Sequence, residues 1–161
     1  MSNKVDLYVD GACKGNPGPG GWGCVIMQKD HIIQEFYGAQ NNTTNNRMEL
    51  KSAIEGLRAI KEKSQVALYT DSQYVKNGIN DWLWCWVSNG WRTANNKAVK
   101  NQDLWIKLHH ECQRHDISWH WVKGHSGLLG NERADRLARL GCQSLFCLLY
   151  TSDAADDLLC V

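Results

Sequence analysis

The feature that most constrains the fold is a change of hydrophobic period between the first forty residues and the next twenty. Val5, Leu7 and Val9 alternate with Asp6, Tyr8 and Asp10, the two-residue repeat of a strand with one buried face. Two more strand-like runs, Trp22 to Met27 and Ile32 to Tyr37, are set off by Gly15-Asn16-Pro17-Gly18-Pro19-Gly20-Gly21 and by Gln28-Lys29-Asp30-His31, so the three read as an antiparallel meander. The pattern then switches. A polar stretch, Asn41 to Asn46, opens a helix in which Leu50, Ala53, Ile54, Leu57 and Ile60 recur at helical spacing, with Lys51, Glu55, Arg58 and Glu62 turned away. Val66 to Tyr69 forms a fourth strand ending at Thr70-Asp71, and short helices are expected from Ser72 to Val87. Leu104, Leu108 and Cys112 mark another helix and Ile117 to Val122 a fifth strand; a last helix, from about Asn131 to Leu140, follows a glycine-flanked loop, Lys123 to Gly127. The expected class is α/β, a mixed sheet covered by helices.

Composition narrows the field. At 161 residues the chain suits one domain with a proper core. No apolar run reaches the roughly 18–20 residues that span a bilayer, and the amino terminus leads straight into a strand pattern without the apolar core of a signal peptide, so a cytoplasmic location is expected. The seven cysteines (13, 24, 85, 112, 142, 147 and 160) are scattered and read as free thiols. The net charge is only +1, but the last twenty residues hold Asp153, Asp156 and Asp157 and no Lys or Arg, which leaves a mildly basic body suited to a polyanion.

Four acids stand out by position. Asp10 ends the first strand as read here, and Asp71 directly follows the fourth; if the intervening helix makes those strands parallel neighbours, both carboxylates emerge at one sheet edge. Glu49 falls at the margin of its helix's apolar stripe, and Asp135 near Ala134 and Ala138, places where an acid must be paired, protonated or bound to a metal. Each alone could equally be a turn former or a partner of the helix dipole. Converging carboxylates need a cation, and hard oxygen donors without Cys or His select Mg²⁺ or Mn²⁺. Two such ions about 3.5–4 Å apart can clamp a phosphodiester.

Several ordered motifs then carry a resemblance: Asp10 to Gly23, Thr43 to Leu50, Thr70 to Val75, Trp121 to His125 and Asn131 to Asp135. From about Val5 to Leu140 the chain resembles the type 1 ribonucleases H, the bacterial ribonuclease HI family. The resemblance implies a ribonuclease H-like fold: a five-stranded mixed sheet, strands 1–3 an antiparallel meander and strands 4 and 5 parallel, flanked by helices. It also implies endonucleolytic cleavage of the RNA strand of RNA–DNA hybrids by two metal ions, leaving 5′-phosphate and 3′-hydroxyl ends. Asp10 would bridge both ions, Glu49 and Asp71 would complete one shell and Asp135 the other, and His125 would assist proton movement or product release. Mg²⁺ is the expected cofactor, with Mn²⁺ as substitute. No catalytic role falls to His31, His109, His110, His115 or His120. Cys13, Asn16, Asn45, Asn46 and Gln73 match positions that read the minor groove and its 2′-hydroxyls, and Thr44 a phosphate contact. The hybrid is the expected partner, with no membrane and no obligatory protein partner, and a monomer is expected. Clearing RNA from hybrids formed in replication and transcription is the cellular work the resemblance implies.

The sequence departs from that family in two places. The basic cluster of its protruding helix and loop is replaced by Val87-Ser88-Asn89, leaving Arg92, Lys97 and Lys100 nearby; fewer phosphate contacts predict weaker binding with a flatter salt dependence. Trp82 stands in the same binding segment, although Trp82 and Trp86, four apart, read foremost as packing residues. The expected catalytic domain is residues 1–141, followed by an atypical tail, 142–161. Within the tail, Cys147 to Asp157 resembles an in-frame translation of a sequencing adapter, so the chain from about residue 147 is expected to be non-native. Three rivals have weaker support. A non-catalytic hybrid binder would not need all four acids. A 3′–5′ exonuclease or transposase-type core would want Asp-x-Glu on the first strand, where Asp10 is followed by Gly11-Ala12. A His-pair ribonuclease has no His pair placed for it.

Overall fold

The computed structural model describes residues 3–123 and 128–153, with side chains as far as residue 145. Three antiparallel strands come first: β1 (Asn3–Cys13), β2 (Gly18–Gln28) and β3 (His31–Thr43). Helix α1 (Asn45–Ala59) leads to β4 (Ser64–Thr70). Then come α2 (Gln73–Asn77), a π-helical segment (Gly78–Trp82), α3 (Leu83–Ser88) and α4 (Gln102–Arg114), followed by β5 (Asp116–Trp121) and α5 (Leu129–Asp153). The sheet order is β3-β2-β1-β4-β5, antiparallel up to β1 and parallel from β1 through β4 to β5. This is the expected mixed sheet.

The strand ends differ from the sequence expectation. β1 does not stop at Asp10 but continues to Cys13, with Asp10 opposite Gly23 and Cys13 opposite Gly20 on β2. Glycine and proline suggested a long turn, whereas most of that run is paired backbone; the turn shrinks to residues 14–17, where Gly15 takes a φ of +80° that a side chain would resist. β3 likewise extends through Asn41 and Asn42 to Thr43, and α5 runs past Leu140 to Asp153.

Each face of the sheet has its own cover. On one face Leu7, Val9, Val66 and Leu68 pack against Leu50, Ala53, Ile54 and Leu57 of α1 and Leu104, Trp105 and Leu108 of α4, all buried. The stripe read from α1's periodicity is the stripe that is buried. On the other face α5 sits over β2, where a Cβ on Gly23 would lie 2.6 Å from the Ala134 carbonyl oxygen and one on Gly21 would lie 2.3 Å from that of Ala138. Glycine there lets a helix backbone rest directly on a strand. No helix among the described residues is long and apolar enough to cross a membrane.

Candidate active site

β1 and β4 pair in parallel only as far as Tyr8 opposite Tyr69. Beyond that point each runs on to a carboxylate, Asp10 within β1 and Asp71 one residue after β4. The edge where strand direction changes, antiparallel on one side of β1 and parallel on the other, is where an open α/β sheet presents a crevice. Glu49 arrives from α1. Thr44 caps that helix, its side chain accepting the Arg47 N–H at 3.2 Å. Gly11 lets the first turn close onto β1, since a Cβ there would stand 2.5 Å from the Glu49 nitrogen.

Oxygens of Asp10, Glu49 and Asp71 lie within 4.8 Å of one another. Asp10 and Glu49 are 6% and 5% exposed, so their repulsion is little screened by water. The Asp10 carboxylate accepts the Gly11 N–H at 3.0 Å. Burial, then the Asp71 charge and a hydrogen-bond contact with Asp135, pushes the Asp10 carboxyl up to about 8. Burial and the Asp10 carboxylate likewise drive Glu49 well above the usual carboxylate range. One oxygen, Glu49 Oε1, is buried with no hydrogen-bond partner. Such an atom costs free energy until a proton or a cation meets it.

The fourth acid comes from α5. Gly23 pairs with Asp10 and also carries the backbone of Ala134, so the fold sets Asp135 beside Asp10 without any local sequence link. Asp135 lines the cleft beside Asp10; like Asp71 it is half-buried, and it is paired with Arg139 at 3.2 Å. The cleft, about 390 Å³, is lined by Asp10, Glu49, Asp71 and Asp135, with Asn45, Asn46 and Gln73 at its mouth. Gly11, Ser72 and Tyr74 complete it, and these three were not singled out from the sequence. Ser72 was the more legible, because a serine just before a short helix is a capping signal, and its Oγ accepts the Val75 N–H.

The remaining expected site residues lie outside that lining. The Cys13 thiol donates to the Gly18 and Thr43 carbonyls at 3.5 and 3.4 Å, and Asn16 is exposed in the β1–β2 turn. Trp82 packs on Tyr74 and Trp86, with ring centroids 6.0 and 5.7 Å away, which accords with packing. Arg92 donates to the Asn96 carbonyl at 3.1 Å, while Lys97 and Lys100 are exposed on the same loop. His125 lies outside the described residues, as does the adapter-like stretch beyond Asp153.

A set of acids at the end of the β1–β4 pair, with an orphaned buried oxygen among them, is a site fit for a hard divalent cation, of the class that metal-dependent nucleases use. Comparison with known proteins makes it particular. A family model described as RNase H matches residues 2–143. The ribonuclease H of Pseudomonas entomophila (strain L48) is 55% identical over 141 residues, 88% of this chain and 95% of that one. LC9-RNase H1, a type 1 RNase H with the type 2 active-site motif, superposes with a TM-score of 0.80 at 32% identity, over 89% of this chain and 74% of that chain. LC11-RNase H1, solved in complex with an RNA/DNA hybrid, shares the fold at 20% identity, with a TM-score of 0.70 over 88% of this chain and 99% of that chain. The chain belongs to the RNase H family, and its activity is that of a hydrolytic endonuclease.

Proposed function

We propose that the protein hydrolyses the RNA strand of RNA–DNA hybrids with two Mg²⁺ ions, for which Mn²⁺ can substitute, leaving 5′-phosphate and 3′-hydroxyl ends. The observation that carries this reading is the convergence of Asp10, Glu49 and Asp71 around a buried, unpartnered oxygen, with Asp135 on the same cleft wall. An all-oxygen donor set without Cys or His fits a hard divalent cation. Asp10, central in the cleft, would serve both ions, Glu49 and Asp71 one of them and Asp135 the other. When bound, the ions supply an activated water and neutralise the leaving oxygen.

The chain's own residues do the rest. Asn45, Asn46 and Gln73 bring exposed amides to the cleft mouth, where they can donate to and accept from 2′-hydroxyls. Thr44 keeps a hydroxyl proton for a phosphate oxygen while its lone pair caps α1. Cys13 and Asn16 would extend the groove contact, and Trp82, Arg92, Lys97 and Lys100 would meet the complementary strand from the 82–100 segment. His125 is assigned proton movement or product release. The catalytic unit is taken as residues 1–141, acting as a monomer in the cytoplasm, with the segment from about 147 non-native.

Incubation with labelled hybrid, duplex RNA, duplex DNA and single strands, with Mg²⁺ and then with chelator, tests the reading. Cleavage of RNA in the hybrid alone, abolished by chelator and by Asp10→Asn, is expected. Equal cleavage of duplex RNA, or cleavage that survives chelation, would overturn it.

A further inference from the structure

Among the described residues, Asp135 differs from the other three acids in already being paired with a cation. Arg139, one turn further along α5, places Nη2 3.2 Å from Asp135 Oδ2. Arg133, also on α5, is committed elsewhere, forking Glu35 on β3 at 2.6 and 2.8 Å. The backbone beneath Asp135 is held: Gly21 and Gly23 abut α5 so closely that no Cβ would fit. Only the carboxylate's direction is left to be set, and the groups that reach it are the Arg139 guanidinium and, from inside the cleft, the Asp10 carboxyl.

We propose that Arg139 is a resident counter-cation, a positioning residue that holds the Asp135 carboxylate while no metal is present and competes with the ion for it. This rests on the metal-binding reading above. The consequence is ordered loading. Among the described residues no Lys or Arg pairs with Asp10, Glu49 or Asp71, so that half of the site fills first. The half that uses Asp135 fills at higher metal concentration, after the guanidinium is displaced. Displacement is feasible because Arg139 is 63% exposed and swings into water. A single exposed contact of this kind contributes up to about 1 kcal/mol, so the expected effect on affinity is no more than about five-fold.

The experiment is a Mn²⁺ titration of the intact chain without nucleic acid, following bound ion by electron paramagnetic resonance and heat by calorimetry. The chains compared are the wild type, Arg139→Gln, Arg139→Lys, Asp135→Asn and the Asp135→Asn/Arg139→Gln pair, with melting curves to show that each is folded. Arg139→Gln is expected to move the weaker binding step to about two- to five-fold lower Mn²⁺ and to leave the tighter step in place. Arg139→Lys is expected to stay near wild type, and Arg139→Gln to change nothing once Asp135 is Asn. An unchanged or weakened step in Arg139→Gln, or an effect that persists without the Asp135 carboxylate, overturns the role given to Arg139 alone. A wild-type chain that binds no Mn²⁺ overturns the metal reading itself, and this inference with it.

Discussion

Replacing Asp10 by Asn should abolish activity and stabilise the metal-free protein. The Asp10 carboxyl rises from an ordinary 3.8 to about 8 in the folded chain, chiefly through burial and then the Asp71 charge. A group whose proton affinity is raised by folding contributes its full stability only below its unfolded value and loses it as pH climbs towards the folded one. For Asp10 that window runs from about pH 4 to about pH 8. Near pH 7 roughly three units of the rise have been traversed, and at about 1.4 kcal/mol per unit the carboxyl costs the fold up to about 4 kcal/mol. Asn keeps the shape, still accepts the Gly11 N–H, and offers an amide hydrogen to the unpartnered Glu49 oxygen. A gain of about 2–4 kcal/mol is expected, or roughly 5–15 °C in Tm for a domain of this size.

The assay is thermal melting in chelator across that window. Other carboxylates, such as Glu35 and Asp103, which Arg133 and Arg47 hold below their usual range, titrate alike in both proteins and cancel in the difference. The gap between variant and wild type should be widest near neutral pH and close by about pH 4, and excess Mg²⁺ should narrow it by binding the wild type preferentially. No gain near neutral pH, or a gain equally large in acid, would refute the electrostatic account.

Three further outcomes are expected. His115 is buried where its Nδ1 accepts the Ser64 N–H and its Nε2 faces the Leu57 carbonyl, and burial lowers its pKa below 6.5; the wild type should therefore lose stability as pH falls below about 6.5, a component that His115→Gln lacks in acid titrations of urea unfolding. Val87→Lys with Ser88→Lys, both at exposed positions, should lower KM and steepen the dependence of log KM on log salt by about 0.9 per new phosphate contact, with kcat unchanged. Gly23→Ala drives a methyl to 2.6 Å from the Ala134 carbonyl oxygen and should cost about 1–3 kcal/mol of stability while lowering kcat through displaced Asp135, read from urea melts and steady-state kinetics.

What was legible in the sequence was what local periodicity encodes. The β1 alternation and the α1 stripe placed Val5, Leu7, Val9, Leu50, Ile54 and Leu57 in the core correctly. Asp10 and Asp71 were expected at one edge on condition that their strands were parallel neighbours, which they are, while spacing alone did not bring Glu49 to them. The extent of β1 and β2 was not legible, because the glycines that look like breakers are spacers for α1 and α5, and only the docked helices explain them. Asp135 was expected to need a partner for its burial; it is half-exposed, and its partner is an arginine four residues on, a pairing that helical spacing permits but does not require. The tie from His115 to α1 and β4 joins residues more than fifty positions apart and leaves no local trace. The π-helical segment is equally hidden: it starts at Gly78, where a side chain would collide with the Trp105 ring from α4 at 2.0 Å.

The acids can stay together only because the elements carrying them are locked by neighbouring residues that make no demand on water. Val9 precedes Asp10, Leu50 follows Glu49 and Thr70 precedes Asp71, and all three are buried. Each aliphatic side chain buried on that face contributes about 1.5–3 kcal/mol, so two or three of them offset a repulsion of about 4 kcal/mol at the edge. The charge conflict is thus placed two residues beyond the end of the β1–β4 pairing, close enough for the core to hold it and far enough for a cleft to open. This makes a sharp expectation. Leu50→Ala, which touches no charge, should lose about 2–5 kcal/mol of stability and should also weaken Mn²⁺ binding, because it loosens the helix turn that aims Glu49. A Leu50→Ala protein that is destabilised yet binds Mn²⁺ with wild-type affinity would show instead that the carboxylates are held by the metal and not by the core.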